Sequence, residues 1–297
     1  MHAAATVLLL REVEAELEVL MMRRGAALSF MAGMWVFPGG RVDGADASVA
    51  ARKCLTATSG AADCDHLQTL EGEPVPAAQA VALRVAACRE TFEEAGVLLA
   101  RDAQGCLCTG ARVDALQARR ATVASDATSF VAMLEEQDLY LDVDRLVYWS
   151  HWITPSLEPK RFDTRFFAIA LPPGQEVSAD LSELTHHAWV RPAHAPEAIE
   201  RGEIRVVPPT LLTLEDLAES HARHGSLEAM LAAERGRTVP PVMPRIDASA
   251  GELRVVMPWD PGYAAAPGEG CVPADGFPAH LSRRRSCIVV SPGREAR

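Results

Sequence analysis

The segment from Val81 to Leu99 limits the fold more than any other part of the chain. With ~100° between successive residues of a helix, Val81, Val85, Cys88, Phe92, Ala95 and Leu99 form one apolar stripe. Glu90, Glu93 and Glu94 fall on the opposite face within an arc of about 100°, because i, i+3 and i+4 are neighbours. The spacing predicts a helix from about Ala77 to Ala100 that buries its stripe against a sheet and turns three carboxylates outward. Like charges so placed cost on the order of a few tenths of a kcal/mol per pair. Most glutamate-rich faces are simply solvated. Here the neighbours favour more than that. Arg89 adjoins the cluster, and Gly96 ends it where a close backbone approach needs no side chain. The upstream turn Pro38-Gly39-Gly40 can offer a backbone carbonyl to the same ion. Oxygen donors of this kind suit Mg²⁺ or Mn²⁺.

Around that helix the chain reads as a sheet with helices on both sides. Ala4 to Leu10 and Val19 to Met22 are apolar runs flanking an acidic turn, the pattern of a hairpin. Met34 to Phe37 is a third strand, ended by Pro38-Gly39-Gly40. Gly44 to Pro76 is rich in Ala, Asp, Gly and Ser without period and reads as a surface insertion, about residues 47–76. A second helix spans roughly Ala127 to Gln137. Strands follow at Val147 to Ile153, Phe162 to Leu171 and Leu184 to Val190, then helices at Pro196 to Arg201 and Pro209 to His224. Beyond Arg235 prolines and glycines crowd the chain, and only Leu253 to Met257 and Cys287 to Val290 read as strands. Residues 226–297 are therefore expected to be a loosely structured cover or dimerisation element on a main domain of residues 1–225. The class is α+β, a mixed sheet in an α/β/α sandwich.

Charge and composition remove whole classes of partner. Of the 297 residues 48% are apolar, enough for a sizeable core, and the formal charge is −11. So acidic a surface repels nucleic-acid backbones and anionic membranes. A small anionic substrate remains possible in a cleft where arginines or a cation reverse the local field. Seven scattered cysteines without a C-x-x-C pair point to a reducing cytoplasm. The apolar N-terminal run has no basic flank and meets acidic residues from Glu12 to Glu18, so it reads as a strand and not a signal peptide. No apolar stretch approaches the ~20 residues that span a bilayer.

Gly40, Asp46 and the run Arg89-Glu90-Thr91-Phe92-Glu93-Glu94-Ala95-Gly96-Val97 resemble the Nudix box, G-x5-E-x7-R-E-U-x-E-E-x-G-U, with U a bulky apolar residue. There are three departures. Asp46 stands for the first Glu, Thr91 replaces the first U so that packing should weaken there, and the spacer has grown to run from Ala47 to Cys88. A box split in this way is similar to that of the Nudix branch that includes the peroxisomal acyl-coenzyme A diphosphatases. Ser150-His151-Trp152-Ile153-Thr154-Pro155, Arg161 to Phe167 and the stretch from Trp189 to Pro209 extend the likeness over roughly residues 4–220. The resemblance implies a Nudix fold and metal-dependent hydrolysis of a diphosphate bond in a small nucleoside diphosphate derivative. Coenzyme A or acyl-coenzyme A is the first substrate; ADP-ribose, dinucleotides or nucleotide sugars are the alternative. A non-catalytic ligand-binding protein is the reading from another class.

The resemblance also implies roles for particular residues. Glu90, Glu93 and Glu94 would ligate Mg²⁺ or Mn²⁺ with the Gly40 carbonyl, and one glutamate would double as the base. Arg89 would orient Glu90, and Asp46 would add outer-shell charge if the insertion closes on the helix. The ending Arg294-Glu295-Ala296-Arg297 is not a peroxisomal tripeptide, so that location is not carried over. Arg161 and Arg165 are read as substrate contacts or as internal partners of Asp163, and Arg24 and Arg41 as substrate contacts or solvated strand ends. Glu183, His186 and His187 are candidates for a distal base or plain surface or core residues. Trp149, Trp152 and Trp189 are expected in the core, and Cys54, Cys64 and His66 fit no usual zinc spacing. The insertion is the candidate shield for the acyl or pantetheine end of a substrate.

Overall fold

The computed structural model describes residues 1–25, 31–55, 67–178, 184–249, 251–273 and 276–290. Cys64, His66, Glu183 and the ending Arg294 to Arg297 lie outside them. Strands β1 (His2–Val13) and β2 (Glu16–Arg24) form an antiparallel hairpin. Their apolar runs are unbroken because both faces are covered. Val7 and Leu9 enter one core while Leu8 and Leu10 enter the other, the two-residue alternation of a central strand. β3 (Trp35–Val36) pairs with β2. The proline-glycine turn does not take the chain out of the sheet, as the sequence suggested. Gly39–Arg41 is itself a strand, β4, against Ala4 to Thr6 of β1. Only glycine fits at its start, since a Cβ on Gly39 would lie 2.4 Å from the Ala5 carbonyl oxygen.

A 3₁₀ turn at Gly44–Ala47 and helix α1 (Val49–Lys53) open the insertion. Its reading as pure surface is corrected at both ends. Asp46, Ala51, Cys54, Leu67 and Val75 are buried, and the four apolar ones join the core beneath the next helix. That helix, α2 (Ala77–Ala95), stops short of Ala100 because Gly96 adopts φ 68° and its N–H closes on the Phe92 carbonyl. β5 (Ala100–Asp102) pairs with β6 (Leu139–Leu141), and α3 (Ala111–Leu116), α4 (Arg120–Ser125) and α5 (Thr128–Glu136) lie between them in sequence.

β7 (Val147–Ile153) is antiparallel to β8 (Phe162–Ala170), β8 runs parallel to β1, and β9 (Leu184–Val190) is antiparallel to β2. Then come α6 (Ala195–Glu200), α7 (Pro208–His224) and α8 (Leu227–Glu234). In the extension β10 (Pro241–Val242) joins β7. β11 (Arg245–Asp247), β12 (Leu253–Val256) and, after α9 (Ala279–Ser282), β13 (Cys287–Val290) form a separate antiparallel sheet. Among the described residues the main sheet has eight strands in the order β10-β7-β8-β1-β2-β3, with β4 on β1 and β9 on β2. Residues of α2 pack on one face and residues of α7 on the other, the mixed α/β/α arrangement expected.

The extension is not loose, which corrects the sequence expectation. Val242, Met257, Leu281 and Ile288 are buried in the core beside α7. Arg237 and Arg284 donate to the two oxygens of Asp216 on α7 at 2.9 and 2.7 Å. Arg237 also lies over the Trp149 ring, 4.7 Å from its centroid. No helix among the described residues is long and apolar enough to cross a membrane.

Candidate active site

Arg89 is the hub of the α2 face, and only 4% of it is exposed. Its Nε and Nη2 donate to Asp46 Oδ1 and Oδ2 at 2.9 and 3.0 Å. Nη1 donates to Glu90 Oε1 at 3.0 Å and Glu93 Oε1 at 2.8 Å, and Nη2 also reaches the Arg41 carbonyl at 2.9 Å. One planar guanidinium thus ties the start of the insertion, β4 and two glutamates together. Burial alone would push this guanidinium down; its hydrogen bonds and charge pairing with Asp46, Glu90 and Glu93 more than reverse that. Asp46 also closes a capping box by accepting from the Asp43 N–H. The insertion therefore does close on the helix at this end.

The third glutamate is held from the other side. Glu94 Oε2 accepts from the Gly39 N–H of β4 at 2.9 Å. The neighbouring strand residue is equally close, for a Cβ on Gly40 would stand 2.4 Å from Glu90 Oε1. The glycine pair thus lets backbone touch carboxylate. Burial raises the Glu94 carboxyl to about 8, with the charge of Glu90 adding to the shift and the Gly39 N–H opposing it. Burial likewise raises Glu90 to about 7 against the opposing charge of Arg89, and it raises Glu93 as well. Desolvation is the first cause of each rise, and the charge of Arg89 offsets only part of it for Glu90 and Glu93. Among the described residues no three acidic or sulfur or imidazole side chains already converge at metal-ligand spacing. Arg89 occupies one oxygen each of Glu90 and Glu93, while Gly39 occupies one of Glu94.

These groups line a cleft of about 1190 Å³, which also has Arg24 and Arg41 in its lining. Arg161 and Arg165 are absent from that lining, and Arg165 takes the alternative reading, that of an internal partner of Asp163. Arg165 is 1% exposed, pairs with Asp163 at 2.5 Å and donates to the Gln68 carbonyl of the insertion at 2.7 Å. The reason is strand alternation. Thr164 faces the cleft, so Asp163 and Arg165 face away from it. Asp163 also meets His151 Nε2 at 2.6 Å. Arg161 is engaged by the Thr154 carbonyl and the Met243 sulfur, each at 3.3 Å. Lys160, not singled out in the sequence, lines the cleft instead. His186 and His187 are exposed on β9, away from the lining. Trp149 is buried, Trp189 lies beneath Arg11, and Trp152 forms part of the cleft wall. Thr91 is fully buried and its hydroxyl donates to the Ala87 carbonyl at 2.7 Å, so the polar exchange leaves nothing unsatisfied. None of the described residues from 48 to 75 lines the cleft, which leaves the insertion's described parts without a shielding role there.

A mixed sheet between helices, with a glutamate helix laid on a Gly-Gly strand at a cleft, is the Nudix arrangement. Residues 2–217 match the family model of the NUDT19 Nudix domain, and the chain belongs to this family. It is 32% identical to the human acyl-coenzyme A diphosphatase NUDT19 over 227 residues, covering 67% of this chain and 60% of that protein. With the putative nudix hydrolase 7 of Caenorhabditis elegans it shares 27% identity, covering 68% of this chain and 56% of the relative. The chain thus spans about 60% of the length of its human relative. The crystal structure of a NUDIX hydrolase from Alicyclobacillus acidocaldarius superposes with a TM-score of 0.62 at 26% identity, covering 78% of this chain and 96% of that one.

Proposed function

We propose that the chain hydrolyses the diphosphate bond of coenzyme A or acyl-coenzyme A with Mg²⁺ or Mn²⁺. The observation that carries this reading is the meeting of Glu90 and Glu94 with the β4 backbone in the cleft lining, with Glu93 tied to Glu90 through Arg89. The substrate class rests on likeness to relatives named acyl-coenzyme A diphosphatases. In this reading the three glutamates and the Gly40 carbonyl hold the cation. Their oxygens are hard donors whose ionised form burial disfavours, which suits such an ion. When bound there it supplies charge neutralisation for the diphosphate and a more acidic water.

The chain's own residues do the rest. Asp46 holds Arg89, and Arg89 holds Glu90 and Glu93 in one orientation. A glutamate of this face takes the proton of the attacking water. In this reading Arg24 and Arg41, both in the cleft lining, are the contacts for phosphate oxygens. A cytoplasmic location belongs to the same reading, in keeping with the free thiols of Cys54, Cys88 and Cys108.

The test is a panel of coenzyme A, acyl-coenzyme A, ADP-ribose, a dinucleotide and a nucleotide sugar, each with Mg²⁺, with Mn²⁺ and with chelator. Cation-dependent release of adenosine 3′,5′-bisphosphate from the coenzyme A compounds is expected. Cleavage confined to the other substrates would replace the proposed one, and no cleavage at all would refute hydrolysis.

A further inference from the structure

We infer that the C-terminal extension builds the acyl-binding wall of the cleft, with Ile246 and Val255 as the residues that set chain preference. The inference rests on the coenzyme A reading for the identity of the head group. It starts from strand geometry. Ile246 stands directly opposite Val255 in the β11–β12 pair, while Arg245 stands opposite Val256. Alternation sends the first pair to one face of the small sheet and the second pair to the other.

The two faces have different fates. On one, Val256 is buried with Tyr263, and Arg245 lies over the Tyr263 ring, 4.6 Å from its centroid. Arg245 Nη1 also donates to the carbonyls of Tyr263, Ala264 and Ala266. That face is closed. On the other, Ile246 and Val255 are only partly buried, and both line the cleft that holds Glu90, Glu93 and Glu94. Pairing of Val242 with Trp152 seats the extension beside β7 and brings Pro244 into the same lining. Trp152, Phe162 and Phe166, with Phe37, supply the aromatic part of that lining. The wall is held in place by the Tyr263 hydroxyl, which donates to the Met243 carbonyl at 2.5 Å, and by the clamp on Asp216.

The chemistry of this surface selects its occupant. A diphosphate, a ribose or a second phosphate gains nothing from aliphatic Pro, Ile and Val side chains. A hydrocarbon chain does, since each methylene buried there raises affinity about fourfold. The polar end of the same cleft anchors the diphosphate, which leaves the acyl arm to reach the apolar part. Residues 244–255 also lie beyond the residues 2–217 matched by the family model, so this wall is an addition outside the matched domain.

The experiment compares kcat/KM for unacylated coenzyme A and for short- and long-chain acyl-coenzyme A, using the full chain in Mg²⁺. Wild type should favour the longer chain. The double variant Ile246→Ala/Val255→Ala should lose about tenfold or more on the long-chain substrate and far less on coenzyme A itself. Val255→Trp should move the preference toward the shorter chain by filling the wall, and thermal melts check that both variants fold. A wild type indifferent to chain length, or equal losses on all substrates in folded variants, would overturn the inference. Anisotropy of a fluorescent long-chain acyl probe reads the wall without turnover. About tenfold weaker probe binding by the double variant supports it, and unchanged binding overturns it. If wild type cleaves no coenzyme A compound, the head-group reading fails, and the probe still decides on the wall.

Discussion

Where the cleft meets α2, charged groups are fixed by one another. Arg89 reaches Asp46, Glu90, Glu93 and the Arg41 carbonyl, and Gly39 reaches Glu94. Where it meets the extension, the lining is Pro244, Ile246, Val255 and Trp152, held by strand pairing and burial. The difference follows from what each end has to do. Groups that hold a cation and move a proton must be placed to within a fraction of an ångström, which takes directional bonds. A hydrocarbon asks only for apolar area, which many side chains supply. Damage at the first end should therefore be severe and chemical, and damage at the second graded and selective.

The largest expected effect lies at the polar end. Glu93→Gln keeps the size of the side chain and its place on α2 but removes the charge, so turnover should fall about a hundred- to ten-thousandfold with the melting temperature little changed. Wild-type turnover by this variant in saturating Mg²⁺ and Mn²⁺ would remove Glu93 from the chemistry. Next comes Arg89→Met, which leaves buried Asp46 without its guanidinium partner. Urea titration should show a loss of about 3–5 kcal/mol, the range for breaking a buried ion pair from one side. At the apolar end, Asp216→Ala removes one acceptor from Arg237 and Arg284. Arg237 keeps Glu234 at 3.3 Å and Arg284 keeps Glu219 at 3.0 Å. A smaller loss of about 1–3 kcal/mol is expected, with selectivity between acyl chains disturbed more than hydrolysis of coenzyme A. Equal damage to both substrates would mean that the clamp serves the whole domain and not the wall.

The same contrast decides what could be read from the sequence. The α2 glutamates were legible because helical periodicity puts them on one face within a single short segment. The mixed sheet was legible because β1 and β2 carry unbroken apolar runs. Asp46 was legible only as a motif position; its bidentate bond to Arg89 depends on how the insertion returns. Arg165 was legible only as two alternatives, substrate contact or internal partner of Asp163. Counting alternate residues from Thr164 turns it into the interior and selects the second. The helix at Leu227–Glu234 had a signal that went unread, the Ser226 side chain capping the Ala229 N–H. Ile246 and Val255 had none, since two aliphatic residues nine positions apart become a wall only when β11 and β12 pair.

The smallest effect concerns pH, and it separates the ends because only the polar one carries raised carboxyls. In chelated protein Glu90 and Glu94 keep their protons up to about 7 and about 8, against 4.5 for the unperturbed side chain. The folded state then binds more protons than the unfolded one across that interval. Its advantage is complete below the unfolded value and is lost as pH rises through the folded values, so the melting temperature with chelator should fall between about pH 5 and about pH 8.5. Mg²⁺ favours the ionised carboxylates and should flatten the fall. Glu94→Gln should flatten it without metal, because the proton can no longer leave. A chelated profile that stays as steep in Glu94→Gln as in wild type would trace the pH dependence to other groups, and would weaken the view of this face as a cluster short of a cation.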